Sequence, residues 1–403
     1  MSEWKKVKLG EICGRVTSGG TPKANVSSYY NPPTIPWLKT KEVNYCRITE
    51  TENYISEEGL KNSSAKRISP NSVIIAMYGQ GDTAGRVAIN KIPLATNQAC
   101  CNLTIDKSKA DYEFIYYQLC TLYDKLVSLK AGAAQPNLNA RIIKNLEIIM
   151  PSLPIQHRIA SILSRYDSLI ENYQKQIKLL EEAARRLYKE WFIDLRFPGH
   201  ENTKIVDGVP EGWERKKVKE VCDTTSGGTP SRSKTEFYTG DILWVKTKEL
   251  NDDFIFDTEE KITEDAIRNS SAKMVPSGSI LMAMYGATIG KLGIATKELS
   301  CNQACCVFLL PEDSTLRLYL YNWLLNSRTL LISMGKGAAQ PNLSQDMIKN
   351  LEVVVPSSCL LTKFDSKVKP LYRIMSYHSS QIRLLTEARD RLLPKLMSGE
   401  ITV

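Results

Sequence analysis

Histidine is nearly absent: the 403-residue chain has three, His157, His200 and His378, far apart in sequence. That leaves little material for an imidazole-based metal site or general base. None of the ten cysteines forms a CxxC pair; they stand as Cys100-Cys101, Cys305-Cys306 and scattered singles. In a chain of this size without an export signal they read as reduced core thiols, not as a disulfide framework or a zinc site. Long apolar runs are missing as well. No window approaches the ~18 to 20 continuous apolar residues of a membrane span. The basic start, MSEWKKVKLGEIC, has no apolar stretch behind it and does not read as a signal peptide. The expectation is a cytoplasmic protein that does not contact membrane. With 42% hydrophobic and 24% charged residues, the composition is that of an ordinary globular chain of roughly two to three domains.

Net charge is +9, unevenly spread. Residues 1–154 carry 19 Lys+Arg against 13 Asp+Glu, whereas residues 211–360 carry 17 against 19. A polyanionic partner is mildly favoured, and any such binding by the second region has to use a local patch.

What the chain has in place of these features is a repeat. TSGGTP occupies residues 17–22 and again 225–230. WLKTKEVN from Trp37 matches WVKTKELN from Trp244, NSSAK from Asn62 matches that from Asn269, and AMYG from Ala76 matches that from Ala283, all offset by 207. GRVAI from Gly85 (GKLGI from Gly290), NQACC from Asn97 and Asn302, GAAQPNL from Gly132 and Gly337, and NLEIIMP from Asn145 (NLEVVVP from Asn350) follow at an offset of 205. Ordered matches with so small a drift mark a tandem duplication of a whole domain, far longer than the ~20 to 50 residues of a solenoid unit. Each copy reads as an α+β domain, mostly strands and exposed loops. Strands are expected near residues 72–77, 146–150, 279–284 and 351–355, and one helical stretch precedes each GAAQPNL segment, near 111–130 and 314–334.

Each copy is followed by a helical stretch with coiled-coil spacing. In the first, Leu163, Ile170, Ile177, Ala184 and Trp191 alternate with Tyr166, Tyr173, Leu180 and Leu187. In the second, Val368, Met375, Ile382, Arg389 and Leu396 alternate with Leu371, His378, Leu385 and Leu392. At 1.5 Å per residue, about 36 residues span on the order of 54 Å, enough to act as a spacer. Arg389 and His378 break the apolar seam, and Pro394 is expected to kink or end the second helix. The predicted order is a first domain (1–154), a central spacer helix (155–197), a Pro- and Gly-containing linker (198–212), a second domain (213–360) and a C-terminal spacer helix (361–403). Antiparallel packing of the two helices as a coiled coil would give internal pseudo-two-fold symmetry.

With PSLPIQHRIASIL from Pro151, WFIDLRFPG from Trp191 and LPKLMSGEI from Leu393, this layout resembles the specificity subunit of type I restriction-modification systems over essentially the whole chain. The resemblance implies two target recognition domains that each read one half of a bipartite gapped site in double-stranded DNA. It implies helices that set the gap and dock two modification subunits, which bind S-adenosylmethionine and methylate adenine. Restriction subunits would add an ATP- and Mg-dependent nuclease. The chain itself would be non-catalytic, with no cofactor and no metal. One departure is that LLTKFD from Leu360 stands where the first copy has PIQHRIA from Pro154, so the two docking regions are not equivalent.

Several residues suit DNA on chemical grounds. Ser18, Gly19, Gly20 and Thr21, with Ser226, Gly227, Gly228 and Thr229, offer amides and hydroxyls of little bulk for phosphate. Lys39 and Lys41, with Lys246 and Lys248, alternate and would share one face of a strand. Gln135 and Asn137, with Gln340 and Asn342, carry amides that can pair with adenine. Tyr78 and Tyr285 can position or stack. A structural role competes with each of these: a tight turn, a solvated strand face, a loop whose amides satisfy backbone. Readers of two different half-sites ought to differ between copies, which points to residues 23–30 against 231–238, including Lys23 and Arg232, and to 80–83, including Gln80, against 287–288. Tyr188, Trp191 and Phe192 are candidates for partner docking.

Three look-alikes fail. NPPT from Asn31 lacks the aromatic that an adenine methyltransferase stacks on its base, GATIGKL from Gly286 has the wrong spacing for a phosphate loop, and Glu259-Glu260-Lys261 has no acidic counterpart in the first copy beyond Glu52. The competing functions are an enzyme acting on DNA alone and a protein-binding scaffold. The missing catalytic motifs oppose the first, and the doubled domain with a spacer opposes the second.

Overall fold

The computed structural model describes residues 4–131, 137–311, 313–335 and 342–403. These form two compact units, residues 1–169 with 385–403, and residues 170–384. Each unit holds one repeat together with part of both long helices.

The repeats are built alike. In the first, a five-stranded sheet runs in the order Cys13–Ser18, Cys100–Ile105, Val73–Ala76, Val87–Asn90, Cys46–Ile48. In the second, Asp223–Ser226, Cys305–Leu309, Ile280–Ala283, Leu292–Ala295 and Asp253–Ile255 take the same order. The neighbours pair antiparallel except at the last position, where Arg47 lies opposite Ile89 and Phe254 opposite Ile294 in parallel register. The central strands VIIA and ILMA are buried at every residue, which is why they read as unbroken apolar runs. A smaller sheet carries Ile35–Leu38 in the first repeat and Ile242–Val245 in the second. Lys5–Lys8 pairs with Glu147–Met150, and Glu214–Lys217 with Glu352–Val355, so each repeat is closed by its own first and last strands. The helix caps are duplicated too: Ser56 and Thr263 accept from Gly59 and Ala266 amides, and Asn139 and Ser344 cap the short helices before the last strands. Each expected helical stretch is in fact two helices, Tyr112–Cys120 with Tyr123–Ala131, and Leu316–Asn326 with Arg328–Met334.

The long helices are Leu153–Tyr188, extended by a π turn over Lys189–Ile193, and Ser358–Ser398. Pro394 does not end the second helix, which continues to Ser398. A proline forgoes only the bond to the carbonyl four residues earlier, here that of Asp390, and the same helix carries Pro370 in its middle. Within each unit the two helices run in opposite directions. In the first, Leu163 shares a core with Leu396, against which Leu392 packs, and Asp167 meets Arg389. In the second, Tyr173 stacks on His378 with ring centroids 4.5 Å apart, and Tyr188 meets Phe364. Ile170 is buried; Tyr166, Ile382 and Leu385 are half-buried. Ala184, Val368 and Met375 lie in the core of the second unit, with Ile177, Leu180, Leu187 and Leu371 against it.

The two residues that break the apolar seam therefore have partners. Arg389 Nη1 lies 2.7 Å from Asp167 Oδ1, and Arg47 Nη1 2.8 Å from the other carboxylate oxygen. Arg47 also pairs with Glu113, which takes Lys91 at 2.9 Å, and Tyr117 donates to Asp167. One strand and one short helix of the first repeat are thereby bonded to both long helices. Burial acts to raise the Asp167 and Glu113 carboxyls. Hydrogen bonds from Tyr117, Arg389 and Arg47 to the former, and from Arg47 and Lys91 to the latter, outweigh it and hold both below their usual 3.8 and 4.5. Depressed carboxylates stabilise the fold above their unfolded values and lose that contribution as pH falls through the folded ones. Asp167→Asn is expected to lower the unfolding free energy by about 3–5 kcal/mol at neutral pH. In urea titrations the difference from wild type should shrink below about pH 4.

Candidate nucleic-acid interface

The repeated segments converge on one turn in each copy, NQACC. In the first repeat the Gly20 amide donates to Thr96 O at 2.8 Å, the Gly19 amide to Cys100 O at 3.3 Å, and the Asn97 amide to Leu38 O at 3.0 Å. Met77 donates to Ala99 O at 2.7 Å, and Leu138 to Met77 O at 3.1 Å. In the second, Gly228 donates to Cys301 O, Asn302 to Val245 O, Met284 to Ala304 O and Leu343 to Met284 O, each at 2.9 Å. TSGGTP, WLKTKE, AMYG and the Asn-Leu pairs at 137–138 and 342–343 are thus tied in series through one backbone hub in each copy.

This geometry redirects several sequence expectations. The Gly19, Gly20 and Gly228 amides are consumed internally and cannot donate to phosphate. Trp37 and Trp244 indoles donate to Gly20 O and Gly228 O at 3.1 and 3.0 Å. Glycine is required here by packing: a Cβ on Gly19 would fall 2.1 Å from Thr96 O, and on Gly227 1.9 Å from Cys301 O. Ser18 and Ser226 end their strands half-buried, while Thr21 and Thr229 are exposed and bond to Gln98 and Gln303.

The lysines do not share a strand face, because the strands stop at Leu38 and Val245 and a 3-10 turn follows. Lys39 lies over the Trp37 ring and donates to Asn53 at 3.0 Å, and Lys41 pairs with Glu52. Lys246 reaches Glu259 at 3.0 Å and Glu260 at 3.3 Å, and Lys248 also pairs with Glu259. The acidic pair Glu259-Glu260 is therefore the counter-ion of this lysine turn. Hydrogen bonds from Lys248 and then Lys246 hold the Glu259 carboxyl down to about 2. Arg232 pairs with Glu260 at 2.8 Å and lies 4.3 Å from the Tyr238 ring centroid.

Lys23, Gln80, Asn137 and Asn342 are exposed, Tyr78 is half-buried and Tyr285 is 38% exposed. Tyr285 and Asn342 form a backbone bridge. Gln135 and Gln340 lie outside the described residues. The sequence reading missed Gln98 and Gln303, exposed amides on the hub turn; the repeated NQACC was the signal. Tyr188, Trp191 and Phe192, expected at a docking surface, are instead buried, with Phe192 4.9 Å from the Phe364 ring and 4.8 Å from Tyr319. Their spacing marked core. Among the described residues no group of three His, Cys, Asp or Glu side chains could hold a metal ion, and no helix is long and apolar enough to cross a membrane. All ten cysteines are free thiols.

Two copies of one sheet scaffold, each presenting exposed amides and cations on loops tied to a rigid turn, define a recognition module used twice. The chain belongs to the type I restriction modification DNA specificity family, whose domain model matches residues 1–182 and 210–360. It is 31% identical to the type I restriction enzyme MjaIX specificity subunit of Methanocaldococcus jannaschii, over all of this chain and 94% of that one. It is 23% identical to the HindI specificity subunit of Haemophilus influenzae over the full length of both. The crystal structure of a type I S subunit from M. genitalium shares its fold at a TM-score of 0.65 and 17% identity, over 98% of this chain and 96% of that one.

Adding a methyl group at the close-approach glycines separates packing from recognition. Gly19→Ala and Gly227→Ala are expected to destabilise by about 1–3 kcal/mol or more through overpacking against backbone. Gln98→Ala and Gln303→Ala should leave the thermal midpoint of the full chain within about 1 °C.

Proposed function

We propose that this specificity subunit reads a bipartite, gapped DNA site, one half per repeat, with the long helices setting the gap. The observation that carries the reading is the division of each repeat into a shared frame and unshared loops. Strand order, caps and hub hydrogen bonds are common to both copies, while the partly exposed stretches 23–30 and 231–238, and 80–83 against 287–288, differ. Base contacts fall to those stretches together with Gln98, Gln303, Asn137 and Asn342, whose amides suit adenine edges. Lys23 and the first repeat's surplus of cations supply phosphate attraction.

The subunit is non-catalytic. It assembles with two modification subunits that methylate adenine using S-adenosylmethionine, and with restriction subunits that use ATP and Mg, in the cytoplasm. Docking uses the solvent faces of the long helices, where Leu179 and Tyr377 are 65% and 58% exposed.

Mapping adenine methylation in the host with and without the gene tests this directly. One bipartite motif should vanish on deletion and return on complementation; an unchanged methylome alongside an expressed modification subunit would sink the reading. Gln98→Ala should relax one half-site and Gln303→Ala the other, each by about 1–3 kcal/mol in competition binding. Removing one helical turn in register from both long helices should change the gap and leave the half-sites intact.

A further inference from the structure

The second unit contains a cleft of about 470 Å³ between the sheet of the second repeat and the second long helix. That volume lies in the range of small-ligand sites, roughly 300–1,000 Å³. Phe254, Ile294 and Tyr372 form its apolar wall, and Arg317, Lys369 and Arg373 its cationic one.

The duplication provides an internal control. The offset of 205 holds here: Leu126 and Leu331 are both fully buried, and the Tyr117–Asp167 bond of the first unit becomes Asn322 Nδ2 to Tyr372 OH at 3.0 Å. In the first unit the same place is filled by charges that satisfy one another. Lys91 Nζ sits 2.9 Å from Glu113 and 3.3 Å from both Tyr112 OH and Asn71, and Arg47 bridges Glu113 and Asp167.

In the second unit both carboxylates are gone, Glu113 being matched by Leu318 and Asp167 by Tyr372. Both of the original cations are gone as well, Lys91 being matched by Thr296 and, at the strand offset of 207, Arg47 by Phe254. Three new cations enter where the first copy is neutral: Arg317 matches Tyr112, Lys369 matches Ser164 and Arg373 matches Ser168.

These cations are poorly matched from within. Arg317 Nε is buried with no hydrogen-bond partner among the described residues. Lys369 reaches only Asp365, at 3.9 Å, and Arg373 makes no ion pair among the described residues. Asp365 faces all three cations, and the other carboxylate nearby, Asp313 on the rim, is exposed. A buried guanidinium edge without an acceptor is costly, and an anion that supplies acceptors relieves that cost.

We propose that this cleft binds a phosphate-bearing anion, held by Arg317, Lys369 and Arg373 with the Ser277 and Ser376 hydroxyls beside them. The site is independent of the half-site reading, since none of these residues lies on the loops assigned to bases. Pyrophosphate and ADP are the probes, titrated calorimetrically into the full chain at fixed ionic strength. Saturable one-to-one binding is expected, weakened about tenfold or more by Arg317→Gln and by the double variant Lys369→Ser, Arg373→Ser, which installs the first copy's serines.

Lys369 is half-buried and Arg373 exposed, so neither is a core residue, and unaltered melting without ligand would show that the double variant is folded. Lys91→Thr, in the first unit, should leave binding unchanged. A 20-base-pair duplex added in competition identifies the source: displacement of pyrophosphate means the anion is a DNA phosphodiester, and no displacement means a free phosphate compound. Absence of saturable uptake up to about 10 mM, or equal binding by the folded double variant, would overturn the proposal.

Discussion

The close approach of Gly19 and Gly227 to the backbone of the NQACC turn is the constraint on which each repeat rests. Only a residue without a side chain lets one loop lie against the carbonyls of another at this distance, where a Cβ would overlap an oxygen. From that contact follow the ladder to Thr96 or Cys301, the indole bond from Trp37 or Trp244, and the seating of the Met77 and Met284 loops. The loops that face solvent are thereby fixed at their roots and free to vary at their tips. That is the physical arrangement a reader of variable sequence needs.

The two copies have kept this frame and exchanged their electrostatics. The first fastens its sheet to the long helices with a buried network of Arg47, Glu113, Asp167 and Arg389. The second replaces it with aromatic and amide contacts, Tyr372 against Tyr321 and Asn322. Buried charges are demanding in geometry and unforgiving of a missing partner, while apolar substitutes tolerate more. The network also accounts for Arg389 in a position otherwise given to apolar residues.

Much of this was legible in the sequence for a simple reason: duplication lets one copy annotate the other. The strands around Ile74 and Leu281, the long helices and the tandem order could be read from runs, periodicity and offsets. What could not be read was tertiary. TSGGTP has the composition of a phosphate-binding loop, and whether its amides face outward or into a neighbouring turn is decided by Thr96 and Cys100, some 80 residues away. Lys39 and Lys41 alternate as on a strand, but the strand ends at Leu38, before either of them. Trp191 and Phe192 have the spacing of both an interface and a core, and the residue that settles it, Phe364, is more than 170 positions distant. Gln98 sits in the repeated NQACC, where the letters alone do not separate its exposed side chain from the buried Ala99, Cys100 and Cys101 beside it.

The division of the chain into units cuts through both long helices, and this has a bearing on how the protein is made. The first repeat completes its core with Leu396 and Met397, and Trp4 lies beside Gly399. Its hydrophobic interior therefore stays open until residues 385–403 have emerged from the ribosome, although its own strands emerge first. The second repeat has all of its parts, residues 170–384, in hand before then. A chain cut before residue 385 would lose integrity in the repeat that precedes the other in sequence, and the order of synthesis and the order of completion of the two repeats are reversed.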